Sequence, residues 1–230
     1  IQKIADTYGL RVIYDAAHAF GVTVNGTSIL SYGDLSILSF HATKRFSTIE
    51  GGAIICHDEK TKKRIDFLKN FGFADEVTVV GPGINAKMNE LQAAFGLVQL
   101  KHINDYILRC KAIATVYRER LTGVRGLSLP AEPEGVRHSY TYLPVMVDEK
   151  EYGESRDAVY ERLRSHNVYG RRYFYPLISN FPTYRGLPSA GRDNLQVANR
   201  VSGQVICLPL YPHLSTDVVE YICDLLEEGK

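Results

Sequence analysis

Apolar residues recur at helical spacing over the first ten positions. Ile1, Ile4, Ala5 and Tyr8 of IQKIADTYGL share one face, so the segment reads as the tail of an amphipathic helix that Gly9 stops. The period then shortens. Residues 11–14 (RVIY) are a short strand with two β-branched residues, and Asp15 follows at its end before the small Ala16 and Ala17. Two short extended stretches flank Asn25-Gly26, the pair that best tolerates the positive φ of a tight hairpin. Residues 35–40 predict a buried strand, Glu50-Gly51-Gly52 a tight return, and residues 53–56 (AIIC) a second buried strand.

Asp58 is placed to cap a helix over 59–71 whose Ile65, Phe67 and Leu68 form the apolar face and whose TKKR start is solvated surface. Residues 71–83 have the composition of an irregular connection, broken most strongly at Gly81-Pro82-Gly83. A helical run over 89–100, with Asn89 as cap, resumes over 106–121 and predicts one long element, ended by Gly123 and Gly126. Beyond it the pattern predicts a strand at 139–147, a helix at 155–165, an aromatic stretch at 169–175 and a terminal helix at 216–228. The expected organisation is an α/β lobe with a long connecting helix over 1–122 and a small α+β lobe over 123–230. Because the first residues already lie inside a helix, the chain reads as opening within a domain, as a fragment would.

With 230 residues, 45% of them hydrophobic, the chain can bury a substantial core. Lys and Arg (27) balance Asp and Glu (26), which leaves no electrostatic footprint for nucleic acid or an anionic membrane. Four cysteines without CxxC spacing and seven histidines without an HxxxH or HExxH pattern argue against a disulfide framework and a metal site. No apolar run approaches the ~18 residues a membrane span needs, and a cytoplasmic location is the default expectation.

The chemistry concentrates in residues 36–52, SILSFHATKRFSTIEGG, where an apolar strand delivers Ser39, His41, Thr43 and Lys44 to its end and then closes on glycines. Ligands of open α/β sheets bind at such strand ends. A lysine desolvated there is a nucleophile toward a carbonyl, which is Schiff-base chemistry, although a lysine taken alone is more often an exposed loop residue. Asp15, at the end of the preceding strand, reads either as a turn cap or as a carboxylate that holds the proton of a ring nitrogen. His18 lies close enough to share that pocket. In the second lobe, Arg171 and Arg172 among tyrosines read as a stacking or phosphate site, or as packing between lobes.

Three stretches taken together, DAAHAFG at 15–21, SFHATKRFSTIEGGAI at 39–54 and GINAKMNELQAAFGLVQL at 83–100, resemble the DegT/DnrJ/EryC1/StrS family of nucleotide-sugar aminotransferases. The resemblance implies an α/β fold of fold type I, with 1–122 the C-terminal part of the large domain and 123–230 the small domain. It implies pyridoxal 5′-phosphate (PLP) as cofactor. Lys44 then matches the Schiff-base lysine, Asp15 the partner of the pyridine nitrogen, His18 a neighbour of the ring's phenolic oxygen where many members have Gln, and Ser39 a phosphate ligand. Asn85 matches an amide that reaches the phosphate of the neighbouring subunit, which implies a homodimer with shared active sites.

His41, Lys87, Arg172 and Tyr175 are the candidates for substrate contact. The family's lysine is present, where dehydratase relatives have histidine, so the implied reaction is transfer of an amino group from L-glutamate to a dTDP-linked 3- or 4-keto-6-deoxyhexose. Two departures stand out. The N-terminal part of full-length relatives is missing, and a common PLH is PLIS at 176–179. The alternatives are a truncated, non-catalytic binding or assembly partner, and a cofactor-dependent elimination.

Overall fold

Gly9 ends helix α1 (Gln2–Tyr8) in the left-handed conformation, at φ 62°. The computed structural model describes residues 1–228. Of the apolar face expected for α1 only Ala5 is buried, and Ile1, Ile4 and Tyr8 are exposed. Strand β1 (Ile13–Asp15) follows, then a hairpin of β2 (Thr23–Val24) and β3 (Thr27–Ser28) that turns through Asn25 at φ 49° and Gly26 at φ 80°. Strand β4 (Leu35–Ser39) is the centre of a three-stranded sheet, parallel to β1 on one side and antiparallel to β5 (Gly52–Cys56) on the other.

Period-two alternation gives this sheet two unlike faces. Ser36 and Leu38 point into the core, whereas Ile13, Ile37 and Ile54 lie exposed on the opposite face. The expectation that 53–56 is a buried strand is therefore corrected: β5 pairs only with β4 among the described residues, and Ile54 is 49% exposed.

Helix α2 (Glu59–Leu68) is capped by the Asp58 carboxylate, which accepts from the Thr61 N–H at 2.8 Å. It ends three positions before 71, because Phe71 adopts φ 57° and its N–H turns to the Ile84 carbonyl. Helix α3 (Glu90–Leu121) is one uninterrupted element. Its start is a reciprocal cap, with the Gln92 N–H on Asn89 Oδ1 (2.9 Å) and the Asn89 N–H on Gln92 Oε1 (3.3 Å).

After β6 (Leu127–Ser128), strand β7 (Val136–Arg137) returns to pair with β2. The chain thus forms two compact units, 1–104 with 133–139, and 105–132 with 140 onward. The division falls inside α3 rather than at its end. Ile107, Cys110, Ala114, Tyr117 and Leu121 on the helix's later turns are core residues, whereas Leu91, Leu97 and Val98 on its earlier turns are exposed.

The second unit holds an antiparallel sheet in the order β6, β8 (Leu143–Val147), β9 (Val205–Leu208). With it go α4 (Glu149–Tyr152), α5 (Arg156–Ser165), α6 (Gln196–Gln204) and α7 (Thr216–Glu227). Val145, Val147, Val159, Leu163, Ile206, Ile222 and Leu226 make its core. Strand β8 begins four residues later than the pattern suggests, since Ser139 belongs to the first unit and Tyr140 takes φ 51°. The aromatic stretch at 169–175 is irregular and meets β9 at a bridge between Arg171 and Cys207. Among the described residues no helix is long and apolar enough to cross a membrane, and no cluster of His, Cys, Asp and Glu could hold a metal ion.

Candidate active site

Because β1 and β4 run parallel, their C-terminal ends lie side by side, with Asp15 in register with Ile37 and the Ala16 N–H donating to the Ile37 carbonyl. Two residues past that register β4 ends at Ser39, and the chain doubles back on itself. The Lys44 N–H meets the His41 carbonyl, the Thr48 N–H the Phe40 carbonyl, and the Phe40 N–H the Gly51 carbonyl, each at 2.9 Å.

An aromatic anchor fixes this loop. Phe46, 4% exposed, stacks on Phe20 at 4.3 Å between centroids and meets Phe40 edge-on at 4.8 Å. Phe20 lies two residues from His18, so the cluster joins the two segments that carry His18 and Lys44. Thr48, 2% exposed, closes the loop through its hydroxyl on the Glu50 carbonyl and packs beneath α3, where a Cβ on Gly96 would stand 2.8 Å from Thr48 Cγ2.

Lys44 Nζ lies 2.8 Å from His18 Nε2. An ammonium has only donors to offer, so Nε2 accepts and the imidazole proton sits on Nδ1. Burial lowers the pKa of His18 below its ordinary value, the Lys44 charge lowers it further, and Asp15 pulls the other way. A neutral acceptor is the state this pair requires. Asp15 does cap a turn, since Oδ1 accepts from the Ala17 N–H at 3.0 Å, but Oδ2 has no hydrogen-bond partner among the described residues.

The remaining candidates fall into different neighbourhoods. Ser39 Oγ accepts from the His41 N–H at 3.4 Å. His41 faces its own loop: Nδ1 accepts from the Thr43 N–H (3.2 Å) beside the Thr43 hydroxyl (2.9 Å), and Nε2 stands 3.5 Å from Glu50 Oε1. Asn85 bridges to Asn70, and Lys87 donates to Asn70 Oδ1 at 2.7 Å with its ammonium 4.5 Å from the Phe71 ring centroid. Lys87 also lines a cavity of about 970 Å³ beside Ile37 and Ile54.

Arg172 and Tyr175 belong to the second unit. There Arg172 pairs with Asp157 at 2.9 Å and lies over the rings of Tyr160 (4.3 Å) and Tyr175 (5.5 Å). Residues that the sequence reading missed are the supports: Phe46, Thr48, Arg45 and Ser139. The Arg45 Nε–H donates to the Ser139 carbonyl at 3.2 Å, and Ser139 Oγ donates to the His18 carbonyl at 3.3 Å. A contact separated by about a hundred positions leaves no local pattern to read.

Comparison with known proteins bears on this arrangement. Over 229 residues the chain is 52% identical to dTDP-4-amino-4,6-dideoxy-D-glucose transaminase of Escherichia coli, covering 98% of this chain and 61% of that protein. The structure of DesI in the presence of its TDP-sugar product superposes with a TM-score of 0.90 at 36% identity, covering 99% of this chain and 57% of that one. Spr1654 of Streptococcus pneumoniae, solved in PLP and PMP forms, matches with a TM-score of 0.87 at 25% identity, covering 98% and 59%. The chain thus spans about three fifths of the length of the proteins it matches, and its fold is the mixed α/β, fold type I architecture of the sugar aminotransferases. The model of the DegT/DnrJ/EryC1/StrS aminotransferase family, a PLP-dependent family, matches residues 1–227, and the chain belongs to that family.

Proposed function

We propose that the protein is a PLP-dependent aminotransferase that moves an amino group from L-glutamate to the C4 carbonyl of a dTDP-linked 4-keto-6-deoxyhexose. The observation that carries this reading is the Lys44–His18 pair at the end of β4, next to the carboxylate that ends β1. The choice of the 4-keto position follows the description of the Escherichia coli relative.

The donor set suits PLP in kind: a primary amine for the aldehyde, a carboxylate with an uncommitted oxygen for a protonated ring nitrogen, and a hydroxyl for the phosphate. When bound, PLP supplies an electrophilic carbon and a conjugated ring that spreads negative charge from the substrate carbon. Lys44 would hold the cofactor covalently and, once the amino donor has taken its place, its free Nζ would carry the proton between the substrate carbon and the cofactor. His18 accepts from the free amine of Lys44 and, with PLP bound and the imidazole proton on Nε2, would donate to the ring oxygen. Asp15 would keep the ring nitrogen protonated, and Ser39 would bind the phosphate.

The proposed assembly is a homodimer in which Asn85 of the partner subunit completes the phosphate site. Val77, Val80, Ile84 and Leu91, in the sequence around Asn85, are exposed, as side chains bound for a subunit interface would be. His41, Lys87, Arg172 and Tyr175 are assigned to the substrate side. Lys87 has a charge for the diphosphate, and Tyr175 a half-exposed ring for the base.

The test is to supply the full-length protein with PLP, L-glutamate and dTDP-4-keto-6-deoxyglucose. The expected outcome is equimolar 2-oxoglutarate and dTDP-4-amino-4,6-dideoxyglucose. PLP-loaded protein that forms neither product overturns the reading.

A further inference from the structure

We infer that Ser139 is a positioning residue for Lys44: it ties the backbone that carries His18 to the side chain next to Lys44, and so fixes the geometry of the pair. The inference rests on the functional reading above only for its consequence on PLP capture.

The geometry is a cross-brace between three stretches far apart in sequence. Ser139 is 2% exposed. Its hydroxyl donates to the His18 carbonyl and its own carbonyl accepts from the Arg45 guanidinium, at 3.3 and 3.2 Å. One residue therefore restrains the backbone of His18 from one side and the neighbour of Lys44 from the other. The Phe20–Phe46 stack already joins these segments, but flat rings in contact leave sliding and tilting soft, whereas hydrogen bonds are directional. The register of the loop against residues 16–20 decides whether Nζ reaches Nε2, and Ser139 acts on that register.

The placement of Ser139 is itself specified. Residues 133–139 lie beyond 104 in sequence but belong to the first unit, drawn there by the pairing of β7 with β2. Val136 and Arg137 pair with Val24 and Thr23, and Arg137 donates to Asn104 Oδ1 at 2.8 Å, so the approach to Ser139 is fastened on two sides. Ser139 is the last residue of the stretch.

In the apoprotein, Lys44 loses protection from a small acylating reagent when the brace is cut, while PLP, which needs the oriented amine, is captured more slowly. Competitive labelling with acetic anhydride, read by mass spectrometry on the Lys44 peptide and normalised to Lys62 and Lys101, measures the first quantity. The rate at which borohydride-stable PLP accumulates on the same peptide measures the second.

For Ser139→Ala we expect Lys44 acetylation to rise and PLP capture to fall, each by about threefold, the size one long hydrogen bond supports. Ser139→Thr, which keeps the hydroxyl, restores both. Arg45→Met cuts the other arm at a less buried position, should move both rates in the same directions, and covers the case in which Ser139→Ala does not fold. A general loosening of the fold would raise acetylation at Lys62 and Lys101 as well, and that result overturns the assignment. So does a folded Ser139→Ala or Arg45→Met protein whose Lys44 reacts as the wild type does. Should wild-type Lys44 capture no PLP, the functional reading fails, and the acetylation measurement alone then decides the role of Ser139.

Discussion

The ammonium of Lys44 rests 2.8 Å from Nε2 of His18, across a gap of 26 positions in the chain. The pair is polar, with His18 exposed and Lys44 half-buried, and is held in place by groups that touch neither nitrogen: the Phe20–Phe46 stack, the Thr48 turn and the Ser139 brace. Its first consequence is a pH dependence. Burial, and then the Lys44 charge, lower the His18 pKa in the folded protein. As pH falls through 6.5 the unfolded chain takes up a proton that the folded chain refuses, so stability declines from there down to the lowered folded value. His18→Gln removes the titration. Urea unfolding at about pH 7.5 and about pH 5.5 should show a smaller acid loss in the variant than in the wild type, and an equal loss would contradict this account of the pair.

Asp15 separates a turn residue from a cofactor ligand. Asp15→Asn retains an oxygen for the Ala17 N–H, so the local turn and PLP binding should survive. Turnover should fall by about two to four orders of magnitude, because an amide does not hold a proton on the ring nitrogen as a carboxylate does. Steady-state rates alongside a PLP titration distinguish the outcomes. Unchanged turnover would reduce Asp15 to its turn.

Gly96 is a buried glycine inside a helix, where alanine is favoured by about 1 kcal/mol on propensity alone. Here the sign reverses. The new methyl would meet Thr48 Cγ2 at 2.8 Å and Phe46 Cζ at 3.6 Å, both on buried side chains of the Lys44 loop, and overpacking of this kind costs about 1–3 kcal/mol. Gly96→Ala should therefore be no more stable than wild type, and less so if the loop cannot shift. Adding Thr48→Ser deletes the clashing methyl and should bring out the helix gain. Chemical denaturation of the two variants checks this, and a single variant more stable than wild type would show that the loop has room.

Much of this was legible in the sequence, and the reasons are local. Gly9, Asn25-Gly26, Asp58 and Asn89 each act within a few residues, so their turns and caps lie where the pattern puts them. The placement of Lys44, Asp15 and Ser39 at strand ends is legible in the same way, from apolar runs that stop at polar residues. Other features depend on distant partners. AIIC reads as a buried strand from its composition, yet the exposure of Ile54 is decided by what covers the outer face of the sheet. Helix α3 is legible as one helix, but the change in its environment near residue 104 follows from which unit packs on each turn. The Ser139 brace gives no periodic signal at all, since one serine before a strand looks like any other.

The central claim is that Lys44 is the amine that takes PLP. Full-length protein incubated with PLP should develop an absorption band at the edge of the visible range, and borohydride should abolish the band and fix the cofactor to one peptide. Peptide mapping is the direct measurement. The reduced cofactor should be found on Lys44, with neither band nor label in Lys44→Ala. A label on another lysine, or a band that persists in Lys44→Ala, would contradict it.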